Sequence, residues 1–252
     1  MSQWWETLYE KRFSDKAAWA IPDDNYVKAQ VGYALMATGL KPQAEVVDLG
    51  AGTGRHVAYL AEKGYRATGL EYSKVLVKKG LELSPGINLY VGDMRKLNVE
   101  STYDAITFFD TSFGIFNDSE NENMLVQVFK ALKPGGWIVI DYLNPDFWKK
   151  NTSEMIIQNY RVKGDKFIRR YTYADNTCRL TESGRYISPD NSSETYPDQV
   201  LALYPQDRLG AMLQQAGFIR AAFHGSVEYD YPNVLRQLSP ESAFALCTAY
   251  KE

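Results

Sequence analysis

Hydrophobic and polar positions follow two rhythms along this chain. Residues 25–39 carry apolar side chains at helical spacing and end at Gly39-Leu40-Lys41-Pro42, which predicts a helix. "AEVVDLG" then reads as a short buried strand. A glycine-rich loop follows, and a helix over "RHVAYLAEKG" that Gly64 closes. "YRATGLE", "INLYVGD", "YDAITFFD" and "WIVIDYL" repeat the strand signal. "SKVLVKKGLEL", opened by Ser73 as N-cap, and "ENMLVQVFKAL" repeat the helical one, and Lys133-Pro134-Gly135-Gly136 reads as a turn before the fifth strand. Upstream, "WWETLYEKRF" (4–13) brings Trp4, Leu8 and Tyr9 near one face of a short helix.

Apolar strands alternating with helices predict a parallel sheet covered on both faces. Right-handed crossovers then gather the strand C-termini along one edge, where a ligand belongs. After Pro145 the rhythm changes to four strand-like runs, "EMIIQNYRV", "KFIRRYTYA", "CRLTESGRYI" and "TYPDQVLALY". Lys163-Gly164-Asp165, Asp175-Asn176 and Ser188-Pro189-Asp190-Asn191 separate them as turns. The helix "PQDRLGAMLQQAG" and the strands "FIRAAFHGSV" and "SAFALCTAY" resume the wound pattern. The expected fold is α/β: a Rossmann-like, doubly wound, seven-stranded mixed sheet with an inserted antiparallel β-meander. Residues 1–145 form the N-terminal helices and ligand-binding core, 146–205 the insertion, and 206–252 the elements that complete the core sheet.

Composition narrows the partners. Among 252 residues the net charge is −3, and no basic cluster suits nucleic acid. Cys178 and Cys247 have no CxxC partner, so neither a disulfide framework nor a structural zinc site is expected. With no membrane-length apolar run, the expectation is a cytoplasmic protein acting on a small molecule, away from membranes and nucleic acid.

The chemistry concentrates in "DLGAGTGRH". Gly50, Gly52 and Gly54 are spaced G-x-G-x-G, and Arg55 stands where a dinucleotide fingerprint has its third glycine. No Gly-Lys-Ser/Thr follows, which excludes a P-loop. Glu71, seventeen residues after Gly54 at a strand end, suits two ribose hydroxyls. Asp93 in "VGDM" suits an adenine amino group, with Met94 offering backbone and an apolar side chain. Asp48 is placed to organise the loop or meet an amino-acid group through water, and Tyr72 to stack on a base. A nucleoside with an amino-acid tail and no phosphate is S-adenosylmethionine.

"VVDLGAGTGRH", "ATGLEYS", "VGDM", "YDAITFFDTSFGIF" and "LKPGGWIVIDYLN" follow in the order of motifs of the class I S-adenosylmethionine-dependent methyltransferases. The chain resembles that family over residues 46–145, and "PQDRLGAMLQQAGF" matches its late helix. It resembles most the bacterial small-molecule branch. The resemblance implies cofactor contacts at Asp48, Gly50, Ala51, Gly52, Gly54, Glu71, Tyr72, Asp93, Met94 and Phe109, and at Tyr9 on an N-terminal aromatic helix that closes over the cofactor. His56 is a usual residue after such a loop, read here as a structural hydrogen-bonding group.

Methyl transfer from a sulfonium needs alignment and exclusion of water, and a general base only when the acceptor is protonated. Asp110, ending the fourth strand, is the candidate base, with His224 the other candidate catalytic group. Ser112, Phe116, Tyr142 and Asn144 are the candidate substrate contacts. Asp141 and Asn144 lack a further acid for a metal site, so no metal is expected. "FFDTSF" lacks the Asn/Asp-Pro-Pro-Tyr/Phe run of enzymes that methylate planar amino groups. Tyrosines of the insertion (Tyr160, Tyr171, Tyr173, Tyr186, Tyr196) would wall a partly polar pocket. The expected reaction is methylation of N or O on a small organic acceptor. Another adenosyl-sulfonium transferase of this fold, or a non-catalytic cofactor-binding regulator, remains an alternative, with a nicotinamide-dependent oxidoreductase more distant.

Overall fold

The structure is a computed structural model that describes residues 4–6, 24–152, 154–158, 166–226 and 234–252. Residues 4–6 are helical. The elements that follow are α1 (Asp24–Thr38), β1 (Glu45–Leu49), α2 (Arg55–Glu62), β2 (Arg66–Glu71), α3 (Lys74–Leu83), β3 (Asn88–Val91), β4 (Tyr103–Phe108), α4 (Asp118–Ala131) and β5 (Leu132–Leu143). Then come α5 (Pro145–Trp148), β6 (Glu154–Gln158), β7 (Lys166–Ala174), β8 (Arg179–Ile187), β9 (Ser193–Ala202), α6 (Gln206–Ala216), β10 (Ile219–Ser226) and β11 (Phe244–Tyr250).

Seven strands form one mixed sheet in the order β10-β11-β5-β4-β1-β2-β3. β1 to β5 are mutually parallel, and β11 runs antiparallel to both β5 and β10. One face is covered by α4 and α6: Met124, Leu125, Val128, Leu209 and Leu213 pack on Ile106, Ile138 and Ile140. The other is covered by α1, α2 and α3, where Val31, Val57, Leu60 and Val77 meet Val46, Ala67 and Ala105. Each large aliphatic side chain buried in this way contributes about 1.5–3 kcal/mol before entropy is subtracted. The strand order reverses at β1/β4, so the loops after these two strands diverge and open a cleft.

The insertion is a four-stranded antiparallel sheet, β6-β7-β8-β9. Alternate residues of β8 are buried, as one-sided packing requires. Pro197 lies in β9, an edge strand, where its missing N–H matters least. Among its ties to the core, two bear on the cleft loops. The Ala202 N–H donates to the Gly114 carbonyl at 2.7 Å, tying β9 to the loop that leaves β4. Asp118, opening α4, accepts from Arg179 Nη2 on β8, Arg208 Nη2 on α6 and the Tyr204 hydroxyl at 2.6–2.7 Å.

Three local expectations change. α4 begins at Asp118, four residues before the predicted run, because the Asn117 side chain accepts from the Glu120 N–H and caps it. Lys133–Gly136 belongs to the start of β5, with Gly135 at φ +85°. The short helix α5 was not read from the sequence; Asn144 caps it and Pro145 opens it. The expected turn at Lys163-Gly164-Asp165 lies outside the described residues. Among the described residues no helix is long and apolar enough to cross a membrane.

Candidate functional site

After β1 the backbone turns through Gly50, Gly52 and Gly54, all left-handed at φ +76°, +57° and +73°. The N–H groups of Gly50 and Ala51 both donate to the Leu70 carbonyl. A Cβ on Gly50 would stand 2.7 Å from Ser112 Cβ, whereas one on Gly52 would meet nothing within 4 Å. Beneath the loop, a Cβ on Gly69 would press on Ala51 and Leu89, and one on Gly80, in the middle of α3, would strike the Thr53 carbonyl. Strand, loop and helix therefore approach closely through glycines outside the loop, although Arg55 replaces the fingerprint's third glycine. The Thr53 hydroxyl is buried in the loop and has no hydrogen-bond partner among the described residues.

Two carboxylates stand at or just beyond the neighbouring ends of β2 and β3, and Glu71 reaches the loop. Glu71 accepts from the Gly52 N–H (2.9 Å) and the Ser73 N–H (2.8 Å). Burial pushes its carboxyl pKa upward, with these backbone donors opposing the shift. The Tyr72 N–H adds to these donors, and the carboxylate keeps acceptor capacity for a ribose hydroxyl. Asp93 accepts from the Arg95 N–H and Nε on one oxygen and from Arg95 Nη2 on the other, leaving one position for an amino donor. After the burial penalty, these Arg95 contacts leave its pKa below the usual range.

Around Arg95 the pocket is aromatic. Its guanidinium lies over Trp5 (5.2 Å) and Phe116 (4.6 Å) and reaches Glu120. Trp5 meets Tyr72 and Phe116 edge-on. Met94 is buried with its sulfur beside Gly50. Tyr72 is exposed beyond its contact with Trp5, and Tyr9 lies outside the described residues.

Asp48, 2% exposed below the loop, accepts from the Thr107 hydroxyl at 2.8 Å. Burial drives its pKa up to about 8, against the bonds from Thr107 and the Phe109 N–H and with the nearby charges of Asp110 and Glu71. The Phe109 ring, expected beside the cofactor, stacks on His56 at 4.4 Å on the α2 side, on the face opposite Phe108.

The chain leaves β4 through two consecutive left-handed residues, Asp110 (φ +51°) and Thr111 (φ +62°). For a β-branched residue this conformation is strained. β5 holds it: the Asp110 N–H donates to Asp141 Oδ2 (3.0 Å) and the Thr111 N–H to the Asp141 carbonyl (3.1 Å). The Asp110 carboxylate pairs with Arg55 at 3.2 Å and keeps a third of its side chain exposed.

Other expected contacts separate from this group. Asn144, expected as a substrate contact, donates to the Ser239 and Ser242 carbonyls, accepts from the Asp146 N–H and is buried. The Ser112 hydroxyl donates to the Leu49 carbonyl, bracing the two cleft loops. Tyr142 is buried in the core with its hydroxyl unpartnered, and burial raises its pKa well above the phenol range. His224 is not brought to Asp110. It lies across β11 from Asp141, two strands and about 10 Å away, edge-on to Tyr33, and burial lowers its pKa. Sequence reading missed Gln30, whose carboxamide joins Asp110 to Asp141. A lone glutamine in a helix carries no motif, so only the fold reveals it.

The donor set fits a phosphate-free adenosyl ligand: two carboxylates with remaining acceptor capacity, a buried hydroxyl without a partner among the described residues, and glycine backbone open above Gly52. Comparison with known proteins agrees. Residues 46–136 match the family described as a methyltransferase domain. A demethylmenaquinone methyltransferase of Renibacterium salmoninarum is 32% identical over 165 residues, 65% of this chain and 64% of that enzyme, just under two thirds of its length. The one from Beutenbergia cavernae is 31% identical over 73% of this chain and 69% of its own. A dTDP-4-amino-2,3,4,6-tetradeoxy-D-glucose N,N-dimethyltransferase of Saccharopolyspora spinosa is 23% identical over 75% and 76%. Among solved structures, the CcbJ methyltransferase of Streptomyces caelestis superposes with a TM-score of 0.76 at 20% identity, covering 99% of this chain and 98% of that one. S-adenosylmethionine-bound CalS10, an amino pentose methyltransferase of Micromonospora echinaspora, gives 0.67 at 19%, covering 98% and 97%. The fold, the cleft and these relatives converge, and the chain belongs to the class I S-adenosylmethionine-dependent methyltransferases.

Proposed function

We propose that this enzyme methylates an amine nitrogen of a small polar acceptor. The observation that carries the reading is the carboxylate of Asp110, held by Asp141 and Arg55 at the β4 exit and still partly open to the cleft. An acceptor amine is protonated at neutral pH, so an anionic group at this place both attracts it and accepts its proton. The whole-length likeness to CalS10, an amino pentose methyltransferase, takes in the meander as well and supports the same class.

Bound in the cleft, S-adenosylmethionine supplies an electrophilic methyl group on a sulfonium. Glu71 would hold the ribose through its remaining acceptor capacity, Asp93 would accept from the adenine amino group, and Thr53 and the Gly52 backbone would line the loop side. Tyr72 and Trp5 exclude water from the base. Asp48, beneath the loop, fixes the loop through Thr107 and Phe109. An Asp110 carboxylate oxygen takes the proton that the acceptor nitrogen releases.

The higher identity to demethylmenaquinone methyltransferases favours a second reading, a quinone acceptor. One experiment separates them. The full chain is incubated with S-adenosylmethionine carrying a deuterated methyl group and a panel of nucleotide-linked amino sugars, simple amines and a reduced demethylmenaquinone. Label on an amine nitrogen supports the proposal; label only on the quinone ring, or none on any acceptor, overturns it. In parallel, calorimetry should show S-adenosylhomocysteine binding that Glu71→Ala weakens at least about tenfold, the loss expected for charge-assisted hydrogen bonds.

A further inference from the structure

The acceptor edge converges on a side chain that no motif marks. Gln30, on α1 and 1% exposed, places Nε2 at 3.0 Å from Asp110 Oδ1 and 2.7 Å from Asp141 Oδ2. Tyr26 Oη lies 3.0 Å from the same nitrogen. The other end of the amide, Oε1, is 2.8 Å from His56 Nε2. Ionised carboxylates only accept, so the NH₂ end must face them and the carbonyl must face a donor. His56 therefore carries its proton on Nε2. Burial keeps that ring neutral, with a pKa lowered to about 4.

Three elements thus meet at Asp110. From α1 come Gln30 and Tyr26; from α2, Arg55 on Oδ2 and His56 behind Gln30; from β5, Asp141, which also receives the Asp110 N–H. Asp48 on β1 adds a further acid nearby. Two acids placed together repel when both are ionised, and a shared amide donor relieves part of that repulsion. The same bonds hold Asp110 in its left-handed backbone conformation.

We propose that Gln30 is a positioning residue: its carboxamide clamps Asp110 to Asp141 and holds the Asp110 carboxylate toward the cleft, where it would receive the acceptor's proton. Its catalytic meaning rests on the amine-methylation reading above. Its physical content does not. With Gln30 removed, Asp110 loses the donor that joins it to Asp141.

Two measurements on the full chain test this. Nitrogen NMR of the wild-type protein should show His56 as the Nε2–H tautomer; an Nδ1–H tautomer overturns the clamp, because the amide would then be reversed. Carboxyl carbon NMR at a single neutral pH, with the Asp110 signal assigned by its loss in Asp110→Asn, should show that signal displaced in Gln30→Met, because the carboxylate loses its amide donor. That variant keeps the volume of the side chain and removes the amide. An unmoved signal overturns the proposal, and the tautomer measurement decides it should Gln30→Met fail to fold. S-adenosylhomocysteine affinity in Gln30→Met should stay within about threefold of wild type, since Gln30 serves the acceptor side. Loss of that binding in the wild-type protein as well would strike the functional reading and leave the clamp to the NMR results.

Discussion

Asp48 and His56 are buried ionisable groups on opposite sides of neutrality, and they tie stability to pH with opposite signs. Asp48 has a folded-state pKa of about 8 against 3.8 for a free side chain. The native protein therefore holds a proton that the unfolded chain has lost, and stability falls as pH rises through that window. His56 has a folded pKa of about 4 against 6.5, so the unfolded chain holds the extra proton and stability falls as pH drops from 6.5 toward 4. The two slopes oppose each other between about 4 and 6.5, and only Asp48 acts above. The ligand-free protein should lose about 2 kcal/mol between pH 6.5 and 8, read as a falling Tm. Asp48→Asn, which can still accept from Thr107, should flatten that slope; an equal slope in the variant would acquit Asp48.

At the scale of elements, Gly80 on α3 and Asp118 at the start of α4 make opposite kinds of contact. Alanine in place of glycine inside a helix ordinarily stabilises by about 1 kcal/mol. At Gly80 the sign should reverse, because the new Cβ meets the Thr53 carbonyl of the cofactor loop. Gly80→Ala should lower stability by about 1–3 kcal/mol and weaken S-adenosylhomocysteine binding together, measured by thermal melting and calorimetry; a more stable variant with wild-type affinity would contradict the packing. Asp118 joins β8, α6 and α4, and its Arg179, Arg208 and Tyr204 partners outweigh burial and hold its pKa down to about 2. With a depressed pKa its contribution is present above about pH 4 and lost as pH falls through 2. Because the carboxylate is 39% exposed, solvent screens the pairs, and Asp118→Asn should cost only about 1 kcal/mol, most of it vanishing in high salt.

The strands and helices of the core were legible because each buries a stripe or a whole strand, and burial writes itself into spacing. Glu71 and Asp93 were legible as acids at strand ends. The cap made by Asn144 was not, since a polar residue after a strand reads equally as a ligand contact or a helix cap, and its bonds to the Ser239 and Ser242 carbonyls span about a hundred residues. The stack of Phe109 on His56 was not either, because alternation tells which neighbours share its face but not which helix covers that face. Gln30 lay beyond sequence reading for a related reason: its partners are 26, 80 and 111 residues away.

For the molecule as a whole, ligand linkage supplies a test of the family's cofactor on the intact fold. S-adenosylhomocysteine at a hundred times its Kd should add about 2.7 kcal/mol, a Tm rise of about 5–10 °C for a chain of this size. NADH at the same concentration should add nothing, and a matching rise would point to a dinucleotide site instead.

The bond between Gly114 and Ala202 has a consequence for how such enzymes diverge. The loop bearing Asp110 and the last strand of the meander share a backbone hydrogen bond, and Gly114, at φ +99°, has no room for a side chain against the Ala202 carbonyl. The loop and the meander thus belong to one frame. If Asp110 is the base proposed above, a lineage can alter side chains of the meander freely, but sliding that sheet would drag Asp110 with it. Descendants with new substrates should keep this glycine and vary the side chains around it.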